Sequence, residues 1–151
     1  MGKNCAVSET DKWAYIISLD DELLQGGVIL SEWTTCLMKD AETAYCSGSN
    51  LSAILACQAA IESHLRFDFF DPKESKGWGF YHLIEKANLK PELKSELHEL
   101  RKFRNKWVHV SDPYDDNDLL ERPEYHENQI ESVAKDAIRI MLKTLYSSPW
   151  I

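Results

Sequence analysis

The sequence has few of the residues that interrupt a folded core. Only six glycines and five prolines occur among its 151 residues, which excludes collagen-like and low-complexity chains. None of its four cysteines forms a C-x-x-C pair, and no cysteine or histidine spacing is typical of a zinc site. Because a chain of this length buries enough surface to fold without disulfides, we expect reduced thiols in a cytoplasmic protein.

Long hydrophobic runs and an excess of basic charge are absent as well. The apolar run at residues 13–17 is too short for the core of a signal peptide and is followed by acidic residues. No stretch approaches the roughly 18 apolar residues of a membrane span, so we expect no membrane partner. The 25 acidic residues outnumber the 17 basic ones, for a net charge of −8. This excludes an overall basic nucleic-acid-binding protein but leaves a local basic patch open.

Helical periodicity dominates most of the chain. Apolar residues recur at spacings of three and four, and no run alternates with a period of two. The pattern predicts five helices, near residues 30–46, 51–68, 80–89, 91–110 and 127–146. Residues 1–27 are either an extended arm or a short extra helix, and residues 28–151 form one domain. The expected fold class is therefore all-α, a single bundle of about five helices.

The helix predicted over residues 91–110 carries an arginine in an unusual position. On a helical wheel Arg104 falls in the middle of the apolar arc, whereas Asn105 and His109 lie together beside that arc, one turn apart. A buried arginine is unfavourable unless it is paired. We therefore expect a partner carboxylate, a subunit interface or a substrate phosphate. Glu62, which interrupts the apolar stripe of helix 51–68, is the predicted partner if the two helices pack antiparallel.

Charge is distributed unevenly around this helix. Residues 90–109 hold six basic and three acidic side chains, whereas residues 110–128 hold seven acidic side chains and one basic. Arg101, Lys102 and Lys106 are candidates for binding an RNA backbone, with a solvated helix face as the alternative and favoured interpretation of the charges alone. The acidic stretch lacks the central glycine and the spacing of an EF-hand calcium loop.

Two stretches resemble HEPN domains. Residues 104–109, Arg-Asn-Lys-Trp-Val-His, resemble the R-x4-6-H motif of that family in its Arg-Asn-x-x-x-His form. Residues 53–66 resemble its second helix, rich in alanine and with an acidic residue, Glu62, before Leu-Arg. The resemblance covers about residues 28–146. It implies a metal-independent endoribonuclease without a cofactor, in which Arg104 and His109 are the catalytic pair and Asn105 and Glu62 support them.

The resemblance also implies a homodimer whose active site is formed where two motifs meet. It implies an RNA substrate and a role in phage defence or as a toxin-like effector, with an antitoxin or regulatory protein as a further partner. Ser111 departs from the toxin branch that pairs with nucleotidyltransferase antitoxins, which often has a tyrosine at this position. The resemblance therefore does not extend to that branch.

The residue types suit cleavage of RNA by attack of its own 2′-OH on the adjacent phosphate. Histidine exchanges protons near neutral pH because its unperturbed pKa is about 6.5, and arginine stabilises charge that grows on the phosphate. Other interpretations stay open: a structural Arg104–Glu62 ion pair or a helix-capping role for His109. At the level of the whole chain, the alternatives are a catalytically silent HEPN module for dimerisation or partner binding, and an unrelated bundle that binds a small ligand.

Overall fold

The computed structural model describes residues 7–149, and within that range it contains seven α-helices and no β-strand. The helices are α1 (Glu9–Leu23), α2 (Glu32–Ser47), α3 (Asn50–Phe69), α4 (Phe80–Lys86), α5 (Pro91–Val108), α6 (Asn117–Glu121) and α7 (Pro123–Leu145). The all-α prediction is confirmed. The five predicted helices correspond to α2, α3, α4, α5 and α7, with ends that differ by at most four residues, and α1 and α6 are additional.

Capping residues explain several of the helix boundaries. The Ser31 Oγ accepts a hydrogen bond from the Thr34 N–H at 3.1 Å and starts α2. Gly48, with φ of 87°, ends α2 in a left-handed conformation that strains other residues. Pro91 and Pro123 occupy the first turns of α5 and α7, where a missing N–H removes no helical hydrogen bond. For this reason α7 begins at Pro123 rather than near residue 127.

The N-terminal region forms a helix rather than an extended arm. α1 buries Ile16 and Leu19 in the core and packs against α2 and α7. Lys12 is only 5% exposed, and its Nζ donates to the Tyr45 carbonyl at 3.2 Å and lies 3.6 Å from a Glu131 carboxylate oxygen. These partners compensate the buried charge and attach α1 to the bundle. Residues 1–6, which the prediction of an arm included, lie outside the described residues.

The core lies where α2, α3 and α7 pack together. α2 and α3 form an antiparallel pair around Gly48, with a hydrogen bond of 2.9 Å between Thr34 and Ser63 near its open end. α7 packs along this pair and buries Ile138, Met141 and Leu142 completely. α4 and α5 complete one side of the bundle. Among the described helices, α6 packs against α7 alone, so the connection between α5 and α7 lies at the edge of the molecule.

Candidate functional site

The two halves of α5 have different environments. Leu93, Leu97 and Leu100 in its first half are buried against neighbouring helices. Near its end Val108 is exposed, and His109 follows as an exposed C-cap residue with φ of −113° and ψ of 64°. These angles are not helical, so α5 ends before the predicted residue 110. The motif therefore lies at an accessible edge of the bundle.

Arg104 lies in a narrow groove of about 80 Å³ between α3 and α5. The walls are largely apolar and are formed by Leu51, Ile54, Leu55, Phe103, Trp107 and Val108. Arg104 Nη1 donates to Asn105 Oδ1 at 3.2 Å, whereas Arg104 Nε is buried without an acceptor. Within residues 7–149 no carboxylate lies within 4.0 Å of the guanidinium. The protein thus leaves one buried donor of this arginine unsatisfied, and Asn105 orients the guanidinium.

The predicted ion pair between Arg104 and Glu62 is not formed. The start of α3 and the end of α5 line the same groove, as an antiparallel arrangement of the two helices would place them. However, Arg104 lies beside Leu55, seven residues before Glu62, which is about 10 Å along the helix axis. Glu62 Oε1 instead accepts a hydrogen bond from Gln58 Nε2 at 3.1 Å. The pair is absent because Arg104 packs about two helical turns away from Glu62 along α3.

His109 lines a second pocket, of about 540 Å³, between the end of α5 and the start of α7. Its backbone N–H donates to the Asn105 carbonyl at 2.9 Å, and its side chain is exposed. Trp107 lines both this pocket and the Arg104 groove. Within one copy of the chain, the two motif residues therefore lie on opposite sides of Trp107 and do not share a cavity.

The acidic connection between α5 and α7 supplies the other wall of the His109 pocket. Asp118 lies in this wall, and Arg122 Nε and Nη2 each donate to its carboxylate at 2.9 Å. The His126 Nε2 lies 2.6 Å from the same carboxylate. The hydrogen bonds from Arg122, and then that from His126, lower the pKa of Asp118 to about 2. Because Asp118 is charged at neutral pH, we assign the proton to His126 Nε2.

Sequence reasoning missed Asp118 and His126 as site residues. His126 is only 7% exposed, lines the pocket, and has a buried Nδ1 without a partner. The spacing of Asp118, Arg122 and His126, four residues apart each time, was the available signal. It was not recognised because the last helix was expected to start after His126, so the three residues were not placed on adjoining helices.

The three basic residues predicted to bind an RNA backbone do not form one continuous strip. The Arg101 guanidinium lies 5.2 Å from the centre of the Tyr81 ring, on the side facing α4. Lys102 lies 3.6 Å from Glu99 and lines a different cleft, between α5 and α7. Lys106 is the one of the three that lines the pocket of the motif histidine.

The described residues also limit other kinds of site. Within residues 7–149 no three His, Cys, Asp or Glu side chains come together as a potential metal site. Cys36, Cys46 and Cys57 are free thiols, and burial raises the pKa of Cys57, while Cys5 lies outside the described part. None of the described helices is long and apolar enough to cross a bilayer.

Comparison with known proteins adds no assignment. The chain matches no protein-family model, no curated protein and no solved structure at a significant level. The resemblance to HEPN domains therefore depends on the motif at residues 104–109 and on the sequence of α3.

Proposed function

We propose that this chain is a metal-independent endoribonuclease of the HEPN type that acts as a homodimer. RNA is cleaved when a 2′-OH attacks the adjacent phosphate, His109 acts as general acid or base, and Arg104 stabilises the phosphate. Asn105 supports the reaction by orienting Arg104, whereas the supporting role implied for Glu62 is not retained, because Glu62 contacts Gln58 and not Arg104. Lys106 is the basic side chain best placed to bind the RNA backbone, and no cofactor is required.

The state of Arg104 is the observation that carries this proposal. Its guanidinium is partly buried, its Nε has no acceptor, and no carboxylate in the described part of the chain balances its charge. A structural arginine at such a position is normally paired. The oxygens of a phosphodiester are suitable acceptors for a guanidinium, which binds them in bidentate fashion.

The separation of Arg104 from His109 favours an active site shared by two copies. Arg104 and His109 line different cavities in a single copy, and we propose that a phosphate held by Arg104 is reached by the His109 of a second copy. Leu51, Leu55 and Val108, which are 37%, 43% and 42% exposed, surround the Arg104 groove. Exposed apolar side chains around a groove are typical of a protein interface. A two-fold axis beside them would bring one copy's Arg104 towards the other copy's His109.

The chemistry balances with these side chains alone. The exposed His109 imidazole accepts the proton of the 2′-OH as the new bond from the 2′-oxygen to phosphorus forms. The bond to the 5′-oxygen then breaks, and an imidazolium returns a proton to that leaving oxygen. The products are a 2′,3′-cyclic phosphate and a 5′-OH. Arg104 contributes by stabilising the negative charge that increases on the phosphate oxygens.

The biological setting follows from the family resemblance. We place the enzyme in the cytoplasm, in phage defence or as a toxin-like effector, with an antitoxin or regulatory protein as a second partner. The acidic lining of the His109 pocket favours one alternative, a silent HEPN module whose motif serves dimerisation or partner binding. In that alternative the protein forms the same dimer but does not cut RNA.

A gel assay with the purified full chain and a generic single-stranded RNA tests the proposal. We expect cleavage that EDTA does not change and that His109→Ala reduces at least about a hundredfold, and light scattering should report a dimer at micromolar concentration. Equal cleavage by folded His109→Ala protein, or a requirement for magnesium, would contradict the mechanism. A clean monomer would contradict the shared site, and absence of any RNA cleavage would favour the silent module.

A further inference from the structure

Two tyrosines on the surface of the protein are equally exposed, and each has an arginine over its ring. Tyr81 and Tyr125 are both 51% exposed. The Arg101 guanidinium lies 5.2 Å from the centre of the Tyr81 ring, and the Arg122 guanidinium lies 4.3 Å from the centre of the Tyr125 ring. The two pairs are therefore alike in kind and can be compared directly.

The two arginines differ in their charge partners. Arg122 Nε and Nη2 both donate to the Asp118 carboxylate, so the charge of Arg122 is balanced within the protein. Arg101 Nε donates to His98 Nδ1 at 3.3 Å, and among residues 7–149 no carboxylate lies within 4.0 Å of the Arg101 guanidinium. Both terminal nitrogens of Arg101 therefore remain available to bind an anion.

A chain of hydrogen bonds fixes the position of Arg101. His98 Nε2 lies 2.6 Å from a Glu85 carboxylate oxygen, and because His98 Nδ1 accepts from Arg101, we assign the imidazole proton to Nε2. The Glu85 carboxylate is thus bound to His98 and not to Arg101. Lys94 Nζ donates to the Glu85 carbonyl at 2.9 Å and likewise has no carboxylate within 4.0 Å in the described part of the chain. The side of α5 that faces α4 therefore carries two positive charges without carboxylate partners.

Tyr81 and Arg101 lie close to Arg104. Arg101 and Arg104 are three residues apart on α5, and side chains at this spacing are neighbours, with about 5–6 Å between their Cβ atoms. A nucleic-acid strand carries a phosphate at every nucleotide, so two neighbouring arginines can bind two phosphates of one strand. Arg101 and His98 both approach the Tyr81 ring from α5, and half of Tyr81 stays exposed. A base of a strand that passes Arg101 can therefore stack on this ring.

We propose that Tyr81 and Arg101 form a nucleotide subsite for single-stranded RNA, in which a base stacks on Tyr81 and an adjoining phosphate binds Arg101. The proposal rests on RNA being the substrate, and it adds a contact with the strand outside the cleaved phosphate. Aromatic rings with an arginine beside them bind bases of any sequence, because every base has a flat face. The subsite therefore increases the affinity for the strand without selecting one base.

Binding of an RNA that cannot be cleaved tests the subsite. The probe is a short fluorescent oligoadenylate whose 2′-OH groups are methylated, and fluorescence anisotropy measures its affinity for the full chain. We expect Tyr81→Leu to weaken binding about five- to a hundredfold, the range for loss of one stacked base, and Tyr81→Phe, which keeps the ring, to bind within about twofold of wild type. Unchanged binding by folded Tyr81→Leu would overturn the subsite.

Tyr125→Leu is the matched control. It removes an equally exposed ring that also has an arginine over it, but that arginine is bound to Asp118, and Tyr125 does not line the His109 pocket. We therefore expect Tyr125→Leu to bind the oligoadenylate as tightly as wild type. Equal weakening by Tyr125→Leu and Tyr81→Leu would overturn the assignment to Tyr81. A circular dichroism spectrum of each variant checks that it is folded.

Arg101→Gln separates the phosphate contact from the stacking contact. Loss of one phosphate contact should reduce the slope of log affinity against log salt concentration by about 0.7, the value for a single strand. Tyr81→Leu should weaken binding without changing this slope, because stacking releases no counterions. An unchanged slope in Arg101→Gln would overturn the phosphate contact.

The binding and cleavage assays separate this proposal from the nuclease proposal. If Tyr81→Leu and Arg101→Gln weaken binding as expected but the wild-type chain does not cut unmodified RNA, the subsite is supported and the nuclease proposal fails. If His109-dependent cleavage occurs but the wild-type chain and Tyr81→Leu bind the methylated RNA equally, the subsite is overturned and the nuclease proposal stands.

Discussion

The two sides of Trp107 differ in which hydrogen-bonding groups they leave unsatisfied. On the α3 side, Arg104 keeps a spare donor among apolar neighbours. On the α7 side, Asp115 and His126 keep spare acceptors among acidic neighbours. The first arrangement suits an oxyanion, and the second suits a hydrogen-bond donor or a cation. A motif contiguous in sequence can therefore line two surfaces of different chemistry, because residues five apart on a helix point in different directions.

Mixing two inactive variants tests whether Arg104 and His109 act from different copies of the chain. If Arg104 of one copy acts with His109 of another, a heterodimer of Arg104→Ala and His109→Ala contains one intact site. Random mixing should then restore about a quarter of the wild-type cleavage rate, since half of the dimers are mixed and each has one working site of two. The measurement is the RNA cleavage rate after the two purified variants are mixed and allowed to exchange subunits. No recovery in verified heterodimers would mean that both residues act within one copy.

Arg104→Ala separates the catalytic role from a structural one. Because Arg104 has no partner carboxylate, its removal strands no buried charge, and the free energy of unfolding should change by less than about 1 kcal/mol. Loss of a buried Arg104–Glu62 pair would instead have cost about 3–5 kcal/mol. Urea denaturation of the variant and the wild type distinguishes these outcomes. RNA cleavage should still be lost, as in the more exposed His109→Ala.

Trp107 lines both the Arg104 groove and the His109 pocket, so its substitution should affect both. Trp107→Ala removes a partly buried ring between α3 and α7 and should destabilise the fold by about 1–3 kcal/mol, below the range for a fully buried tryptophan. Trp107→Phe keeps most of the ring and removes the unpartnered Nε1–H, so stability should change little. Thermal melts of the two variants and the wild type measure both changes in stability. Equal stability of both variants would show that packing of the Trp107 ring does not stabilise the fold.

The hydrogen bonds of Asp118 with Arg122 and His126 should stabilise α6, which lines the His109 pocket. Its folded-state pKa of about 2 lies below the ordinary value of 3.8, so the stabilisation is present above about pH 4 and is lost as pH falls towards 2. Asp118→Asn should therefore speed amide hydrogen exchange in α6 at neutral pH. The difference from wild type should shrink as the pH is lowered through this window. Identical exchange at pH 7 would mean that the contacts with Arg122 and His126 do not hold α6.

Glu62→Gln should have the smallest effect. Glu62 lies about 10 Å along α3 from the residues beside Arg104, and a glutamine at this position still accepts the hydrogen bond from Gln58. Cleavage should stay within about twofold of wild type, and the melting temperature should be nearly unchanged. A large loss of activity with an intact fold would show that Glu62 contacts the active site across the dimer interface.

Much of the fold was predictable because its signals are local. Two signals depend only on near neighbours in the chain. They are the spacing of apolar residues along α2, α3 and α5, and the helix boundaries at Gly48 and Pro91. α6 was missed because a five-residue helix with no buried side chain leaves no periodic pattern. The Arg104–Glu62 pair was wrong because register between two helices depends on how whole faces pack, which no local pattern encodes.

The sequence by itself determined that the chain is helical, that the Arg-Asn-x-x-x-His segment ends a helix, and that a basic stretch precedes an acidic one, since helix propensity and charge order are properties of the linear chain. The tertiary structure decided the rest. It placed Trp107 between Arg104 and His109, brought Asp118 to Arg122 and His126, and left Asp115 unpaired beside them. The physical reason is that these contacts arise from how α3, α5 and α7 pack, and packing joins residues whose distance in sequence carries no signal of their proximity.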